Sequence, residues 1–204
     1  DAGLKIREDA IGNIFARWEG SQPDLPAIGT GSHTDAIPLS GKYDGVVGVL
    51  GGLEAIRLLK ENGLKPTRSI EVLMFNAEEP TRFGIGCFGS RMLSGKMTPD
   101  EARALTDKQG NKMDEARKNA GYPESDLSEI ILPADYYHAF VELHIEQGPI
   151  LEKENLDIGV VTKIAAPSTL SVQLTGAGGH AGAVLMPERR DAGNAAAEIA
   201  LGVE

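Results

Sequence analysis

Cysteine, aromatic rings and positive charge are what this chain has least of. Among 204 residues there is one cysteine, Cys87, so no internal disulfide can form, and the composition is compatible with a reducing compartment. Aromatics make up only 5% against 41% hydrophobic residues, which suits an α/β core built from aliphatics and excludes a disordered chain. Lysine and arginine number 20 against 30 aspartates and glutamates. The resulting net charge of −10 argues against a nucleic-acid or anionic-membrane surface. No apolar run approaches the length of a membrane span. His-Glu-x-x-His, Gly-x-Ser-x-Gly and a phosphate-binding loop are all missing, so zincin, serine-hydrolase and kinase readings lack support. The chain opens at Asp1-Ala2-Gly3-Leu4 without a methionine and closes inside an expected helix. A fragment of a longer protein is therefore expected, and targeting is left open.

What is present reads as an α/β protein. At 204 residues the chain exceeds one average domain but barely makes two. Residues 4–7 and 13–16, joined by the turn formers Asp9 to Gly12, read as a strand pair. Residues 26–32 and 69–76 read as strands of a sheet covered on its faces. Between them Val46, Val49, Leu50, Leu53, Ile56 and Leu59 recur at helical spacing, and Gly63 with Pro66 closes the pattern. Thr98-Pro99-Asp100-Glu101 is a helix start, with Thr at the cap, Pro at the first position and Glu three beyond the cap. A further helix over 111–120, ended by Gly121, is followed by a polar connection over 123–132. Strands are expected over 139–145, carrying His144, and over 158–164. Character changes near Ala165-Ala166-Pro167. Residues 169–175 alternate as a half-buried strand does, 176–182 form a glycine-rich loop around His180, and 191–203 are an alanine-rich helix. The expected organisation is an α/β catalytic domain over 1–165 and the beginning of a second domain over 166–204, whose strands have no partners left in the chain.

The chemistry gathers at strand exits. His33 ends one apolar run, Glu78 and Glu79 follow another, and Asp44 lies in the loop that opens the helix, which is where an α/β sheet collects ligand-binding residues. Neutral imidazole and carboxylate oxygen are the donors a borderline divalent cation takes, and an aspartate shared by two cations can lower the pKa of the water between them. Asp35, two residues past His33, is placed to hold the imidazole in one tautomer. Each feature has a plainer reading. A histidine at a strand end is more often structural than a ligand, and Asp44 between Tyr43 and Gly45 is good turn chemistry. The pair Glu78-Glu79 changes the balance: adjacent carboxylates repel unless a cation or proton lies between them, and a solvated pair is not expected directly after Val72-Leu73-Met74-Phe75. One of the pair can bind metal while the other takes a proton from water, and His144 is the natural next ligand. His180, on its glycine-rich loop, suits polarising a carbonyl or stabilising an oxyanion, against the plainer reading of an exposed loop histidine. His138 reads as a surface residue. Gly84-Ile85-Gly86-Cys87-Phe88-Gly89 spells the glycine pattern of a dinucleotide fold, but Glu78 to Arg82 separate it from its strand, so glycines that allow close packing beneath the site are the better reading. Cys87 as a nucleophile has nothing nearby in sequence to lower its pKa, and it reads as a buried small hydrophobe.

Five segments occur in an order that resembles a known family. They are Gly-Ser-His-Thr-Asp (31–35), Gly-Lys-Tyr-Asp-Gly (41–45), Glu-Glu-Pro-Thr-Arg-Phe (78–83), Glu-Leu-His-Ile-Glu-Gln-Gly-Pro (142–149) and Gly-Gly-His-Ala-Gly (178–182). Across nearly the whole chain they are similar to the amidase/hydantoinase-carbamoylase branch of the M20 metallopeptidase-like family. The resemblance implies a Zn-peptidase-like three-layer α/β sandwich, present in part, with the start of a ferredoxin-like lid and dimerisation domain. It implies two divalent cations, manganese as the usual ion and zinc as the alternative. His33 and Glu79 would each bind one metal or the other, Asp44 would bridge both, and His144 would complete the partner ion. Glu78 would be the general base, Asp35 would orient His33, Gln147 would touch the ureido group, and His180 would stabilise the oxyanion. Arg189, Arg190 and Asn194 are implied on the lid side of the pocket. The activity implied is hydrolysis of linear ureido or carbamoyl C–N bonds in a small-molecule ureide, by a homodimer joined through the lid. Residues 36–38, 45–51, 164–167 and 183–187 look most like the members that act on ureidoglycolate, in purine-nitrogen recovery. N-carbamoyl-L-amino acids and allantoate stay open as substrates, as does a non-catalytic member that keeps the fold for dimerisation or ligand sensing. A further metal-binding histidine and a substrate-binding arginine are implied beyond Glu204, so the residues in hand are expected to bind metal poorly by themselves.

Overall fold

The structure, a computed structural model, describes residues 2–122, 127–166 and 168–203. Parts of the polar connection expected over 123–132 and of the junction expected around Pro167 lie outside the described residues, at 123–126 and at Pro167 itself. The chain divides into two compact units, Asp1–Asn155 and Leu156–Glu204.

In the first unit the strands β1 (Lys5–Glu8), β2 (Ile14–Trp18), β3 (Ala27–His33), β4 (Ile70–Phe75) and β5 (Tyr137–Val141) form one mixed sheet in the order β1-β2-β4-β3-β5. β1 and β2 are the expected antiparallel pair, and β4 runs antiparallel to β2 but parallel to β3. A parallel pair needs a crossover, and α1 (Val46–Glu61) supplies it between β3 and β4. Strand alternation then sorts the core. Phe15 and Leu73, paired in register, pack with Leu93 of α2 (Phe88–Leu93); their neighbours Ala16 and Val72 pack with Val49 and Ile56 of α1. The sheet is thus covered on both faces, and each fully buried side chain such as Ile56 or Leu73 contributes about 1.5–3 kcal/mol. A further apolar cluster of Phe88, Met92, Met97, Ala102, Met113 and Leu127 ties α2 to α3 (Pro99–Ala104) and α4 (Met113–Asn119). The α3 start is the expected one: the Thr98 hydroxyl accepts the Glu101 N–H, and the Glu101 carboxylate accepts the Thr98 N–H.

One departure bears on the site. The strand expected over 139–145 forms instead at Tyr137–Val141, so His144 lies three residues past its end. At Glu142 the chain leaves the ladder: the Ser32 hydroxyl donates to Glu142 Oε1 at 2.6 Å, and the next residue crosses the start of α1 so closely that a Cβ on Gly48 would stand 2.3 Å from the Leu143 carbonyl oxygen. Glu71 is buried, and it is satisfied by hydrogen bonds from the hydroxyls of Tyr137 at 2.5 Å and Tyr136 at 3.3 Å, with Arg17 Nη1 at 3.5 Å.

In the second unit, α5 (Ala192–Leu201) is capped by Asp191, whose carboxylate accepts the Gly193 N–H at 2.8 Å. The described residues of 158–164 and 169–175 form no strand, contrary to the periodicity, and Val160 and Leu170 are exposed. Among the described residues of the second unit there is no strand for either run to pair with, and a run without a neighbour leaves its backbone donors and acceptors unpaired, so alternation alone does not stabilise it. No helix of the described residues is long and apolar enough to cross a membrane.

Candidate metal centre

The first unit brings the imidazoles and carboxylates of four separated segments together. His33, the last residue of β3, is buried, and its Nδ1 lies 2.9 Å from the main-chain oxygen of Asp35. His144 repeats the arrangement, with Nδ1 at 2.9 Å from the Ile145 carbonyl oxygen. A carbonyl oxygen only accepts, so each ring carries its hydrogen on Nδ1 and turns Nε2 inward. Asp44 Oδ1 stands between them, 3.3 Å from His144 Nε2 and 4.0 Å from His33 Nε2, while Glu78 Oε2 lies 3.6 Å from His33 Nε2. The two rings are 6.0 Å apart, centroid to centroid. Donor atoms of His33, Asp44 and His144 fall within 4.8 Å of one another, and so do those of His33, Glu78 and Glu79.

Glycine makes this approach possible. Gly45 opens α1 at φ 65°, and a Cβ there would fall 2.5 Å from His33 Nε2. The imidazole therefore lies directly against the N-terminus of the helix that carries Asp44 beside it.

The Asp35 carboxylate does not take the place expected for it. It lies 3.6 Å from His33 Nδ1, and it instead accepts the main-chain N–H groups of Glu78 at 3.2 Å and Glu79 at 2.9 Å. Asp35 thereby joins the turn after β3 to the turn after β4. Gln147 Nε2 donates to Asp44 Oδ2 at 2.9 Å, so this side chain braces the aspartate between the histidines. Cys87 is exposed, not the buried hydrophobe read from the sequence, and its thiol donates to Glu78 Oε1 at 3.2 Å. Although the residue is exposed, partial desolvation of its sulfur, and then the bond to Glu78, push that thiol's pKa up, the opposite of what a nucleophile needs. Neither the Cys87–Glu78 contact nor the Asp35 clamp carries a sequence signal beyond the glycine pattern around Cys87.

The electrostatics fit a cation. In a neutral ring with its hydrogen on Nδ1, Nε2 would present a lone pair to a carboxylate oxygen, an acceptor facing an acceptor, which a divalent cation between them would convert into ligation. Burial raises the pKa of Glu79, and the carboxylates of Glu78, Asp44 and Asp35 add to it, against a lowering by His33. The residues present therefore suit a divalent metal. Glu79 also borders a separate cavity of about 220 Å³, walled by Phe83, Ile85, Phe88, Met113 and Tyr122. His180, Arg189, Arg190 and Asn194 belong to the second unit. There the His180 Nδ1 accepts the Gly182 N–H at 3.2 Å, Arg189 donates to the carbonyls of Ala181 and Val184, and Asn194 lies on α5. His138 is exposed on β5.

Comparison with known proteins agrees with these segments. The chain is 62% identical, over its full length, to the ureidoglycolate hydrolase of Arabidopsis thaliana and covers 44% of that protein. It is 42% identical to the N-carbamoyl-L-amino-acid amidohydrolase of Pseudomonas sp. (strain NS671), again over its full length and half of that protein. The crystal structure of AtUAH in complex with glyoxylate matches 99% of the chain with a TM-score of 0.83 and 60% identity, over 49% of the crystallised chain. The chain thus spans about half the length of the relatives it matches. Residues 29–203 match the model of peptidase family M20/M25/M40, and with both the family pattern and this degree of identity in place, the chain belongs to that family.

Proposed function

We propose that the full-length protein is a two-metal amidohydrolase that cleaves a linear ureido C–N bond, with ureidoglycolate as its substrate. The observation that carries this reading is the convergence of His33, Asp44 and His144 beside Glu78, a metal-type donor set with a carboxylate at its edge. The identity to ureidoglycolate hydrolase supports the choice of substrate. His33, Asp44, His144 and Glu79 would hold the cations, proposed as manganese, with Asp44 shared between them. Bound there, the cations would polarise the ureido carbonyl and make water a better nucleophile at neutral pH.

The remaining work falls to the chain. Glu78 takes a proton from the attacking water on Oε2, the water oxygen adds to the ureido carbonyl carbon, and the same proton passes to the leaving nitrogen, which departs as ammonia. Carbon dioxide is lost from the carbamate that remains, and the hydroxy amine so released collapses to glyoxylate and a second ammonia. Asp35, by holding the amides of Glu78 and Glu79, keeps the base and the ligand beside it in one geometry. His180 is assigned to the oxyanion. Gln147, Arg190 and Asn194 are assigned to the polar groups of the substrate. Residues 166–204 are read as the start of a lid through which two copies pair, following a catalytic domain over 1–165.

Ammonia release by the manganese-loaded full-length protein tests the reading, with ureidoglycolate, allantoate and several N-carbamoyl-L-amino acids compared by kcat/KM. Ureidoglycolate is expected to be preferred, and Glu78→Gln to lower kcat by roughly 10²- to 10⁴-fold with metal content unchanged. Preference for a carbamoyl amino acid would move the substrate and keep the chemistry. Full activity in Glu78→Gln would remove the base assignment.

A further inference from the structure

The glycine-rich turn from Gly84 to Gly89 has no part in the reaction as written, yet it is built onto the residue that does. Its main-chain amides descend in register onto the acidic turn: Cys87 N–H to the Glu78 carbonyl at 2.6 Å, Phe88 N–H to Ala77 at 3.0 Å, and Gly89 N–H to Asn76 at 3.0 Å. The fit is tight, since a Cβ on Gly89 would stand 2.2 Å from Asn13 Oδ1 and 2.7 Å from the Asn76 carbonyl oxygen. Within the turn Cys87 adopts φ 57°, a left-handed conformation that costs a non-glycine residue roughly 1–3 kcal/mol and persists only where its surroundings impose it. That conformation brings two donors of one residue onto Glu78, the N–H on its carbonyl and the thiol on Oε1 at 3.2 Å. The Glu78 N–H is meanwhile held by Asp35. Glu78 is therefore fixed at its amide, its carbonyl and one carboxylate oxygen, and the other oxygen, Oε2, is the one that faces His33.

We infer that Cys87 is a positioning residue for Glu78: its S–H holds Oε1 and so aims Oε2 into the centre. This rests on Glu78 being the base of the proposed reaction. The glycine pattern that in sequence resembled a nucleotide-binding turn serves on this view as a brace behind that base.

The test uses the full-length, manganese-loaded protein. Cys87→Ala is expected to lower kcat on ureidoglycolate about tenfold, the effect of one lost hydrogen bond to a charged acceptor, while KM and metal content hold. Cys87→Ser, which restores a donor, is expected to recover most of that loss. A second readout needs no turnover. The infrared S–H stretching band of Cys87, isolated by subtracting the Cys87→Ser spectrum, is expected at the low frequency of a thiol bonded to a carboxylate, and to move toward the free-thiol position in a Glu78→Gln background. Cys87→Ala within about twofold of wild type, Cys87→Ser as slow as Cys87→Ala, or a band indifferent to Glu78→Gln overturns the assignment. A wild-type protein inactive on every ureide sinks the proposed reaction instead, and the band then decides the Cys87 contact by itself.

Discussion

Gly45 controls whether His33 and Asp44 can meet. Its φ of 65° and the 2.5 Å separation between a would-be Cβ and His33 Nε2 leave no room for a side chain. Gly45→Ala is therefore expected to displace the imidazole and to add about 1–2 kcal/mol of left-handed backbone strain. Manganese binding measured by equilibrium dialysis on the full-length variant should weaken by about 10- to 100-fold, with a lower Tm. Binding as tight as wild type would show that the His33 ring is not a ligand. The sequence places His33, Asp35 and Asp44 near one another, but it does not tell which oxygen of Asp35 meets the ring. The main-chain carbonyl does, because the carboxylate is already engaged by the amides of Glu78 and Glu79.

Among the elements, the turn between α3 and α4 gathers several donors on one carboxylate. Asp107 accepts from the Asn111 side chain and N–H, from Arg82 Nε and from the Gln109 N–H, and it closes the bridge between Thr106 and Lys112. The Asn111 side chain is the main cause that holds its pKa at about 2, below the ordinary 3.8. A carboxylate depressed in the folded state stabilises it at every pH above the unfolded value and loses that contribution as pH falls through the folded one. Thermal melts of the wild type are thus expected to lose stability between about pH 4 and pH 2. Asp107→Asn should melt lower at pH 7 and show a shallower acid slope; equal slopes would mean that Asp107 is not so held. Element boundaries were legible where a local rule decides them. The helical spacing of Val49, Leu53 and Ile56 is α1, and Thr98 with Glu101 starts α3. β5 ends early because its pairing with β3 stops at Thr30 and Val141, where the chain turns out of the ladder toward the start of α1, and its own apolar run does not show that turn.

The whole molecule is an acidic chain, of net charge −10, that concentrates carboxylates of Asp44, Glu78, Glu79 and Asp35 around two imidazoles. Mutual repulsion of this kind makes cation binding and folding mutually supportive. Manganese at a hundred times its Kd is expected to stabilise the full-length protein by about 2.7 kcal/mol, and a chelator to remove that gain, as read from Tm against free metal. A Tm indifferent to both would argue against any cation in the centre. What the sequence by itself determined is the order of strand, helix and strand and the side of the sheet on which His33, Asp44, Glu78 and Glu79 emerge, because side-chain periodicity, capping and turn chemistry act over a few residues. Tertiary structure alone decided the partners. The bonds from Gln147 to Asp44, from Cys87 to Glu78 and from Asp35 to the amides of Glu78 and Glu79 join segments far apart in the chain. They exist because α1 lies closely on β3 and the glycine-rich turn lies closely on the acidic one, and such contact geometry is a property of packed surfaces that no local pattern encodes.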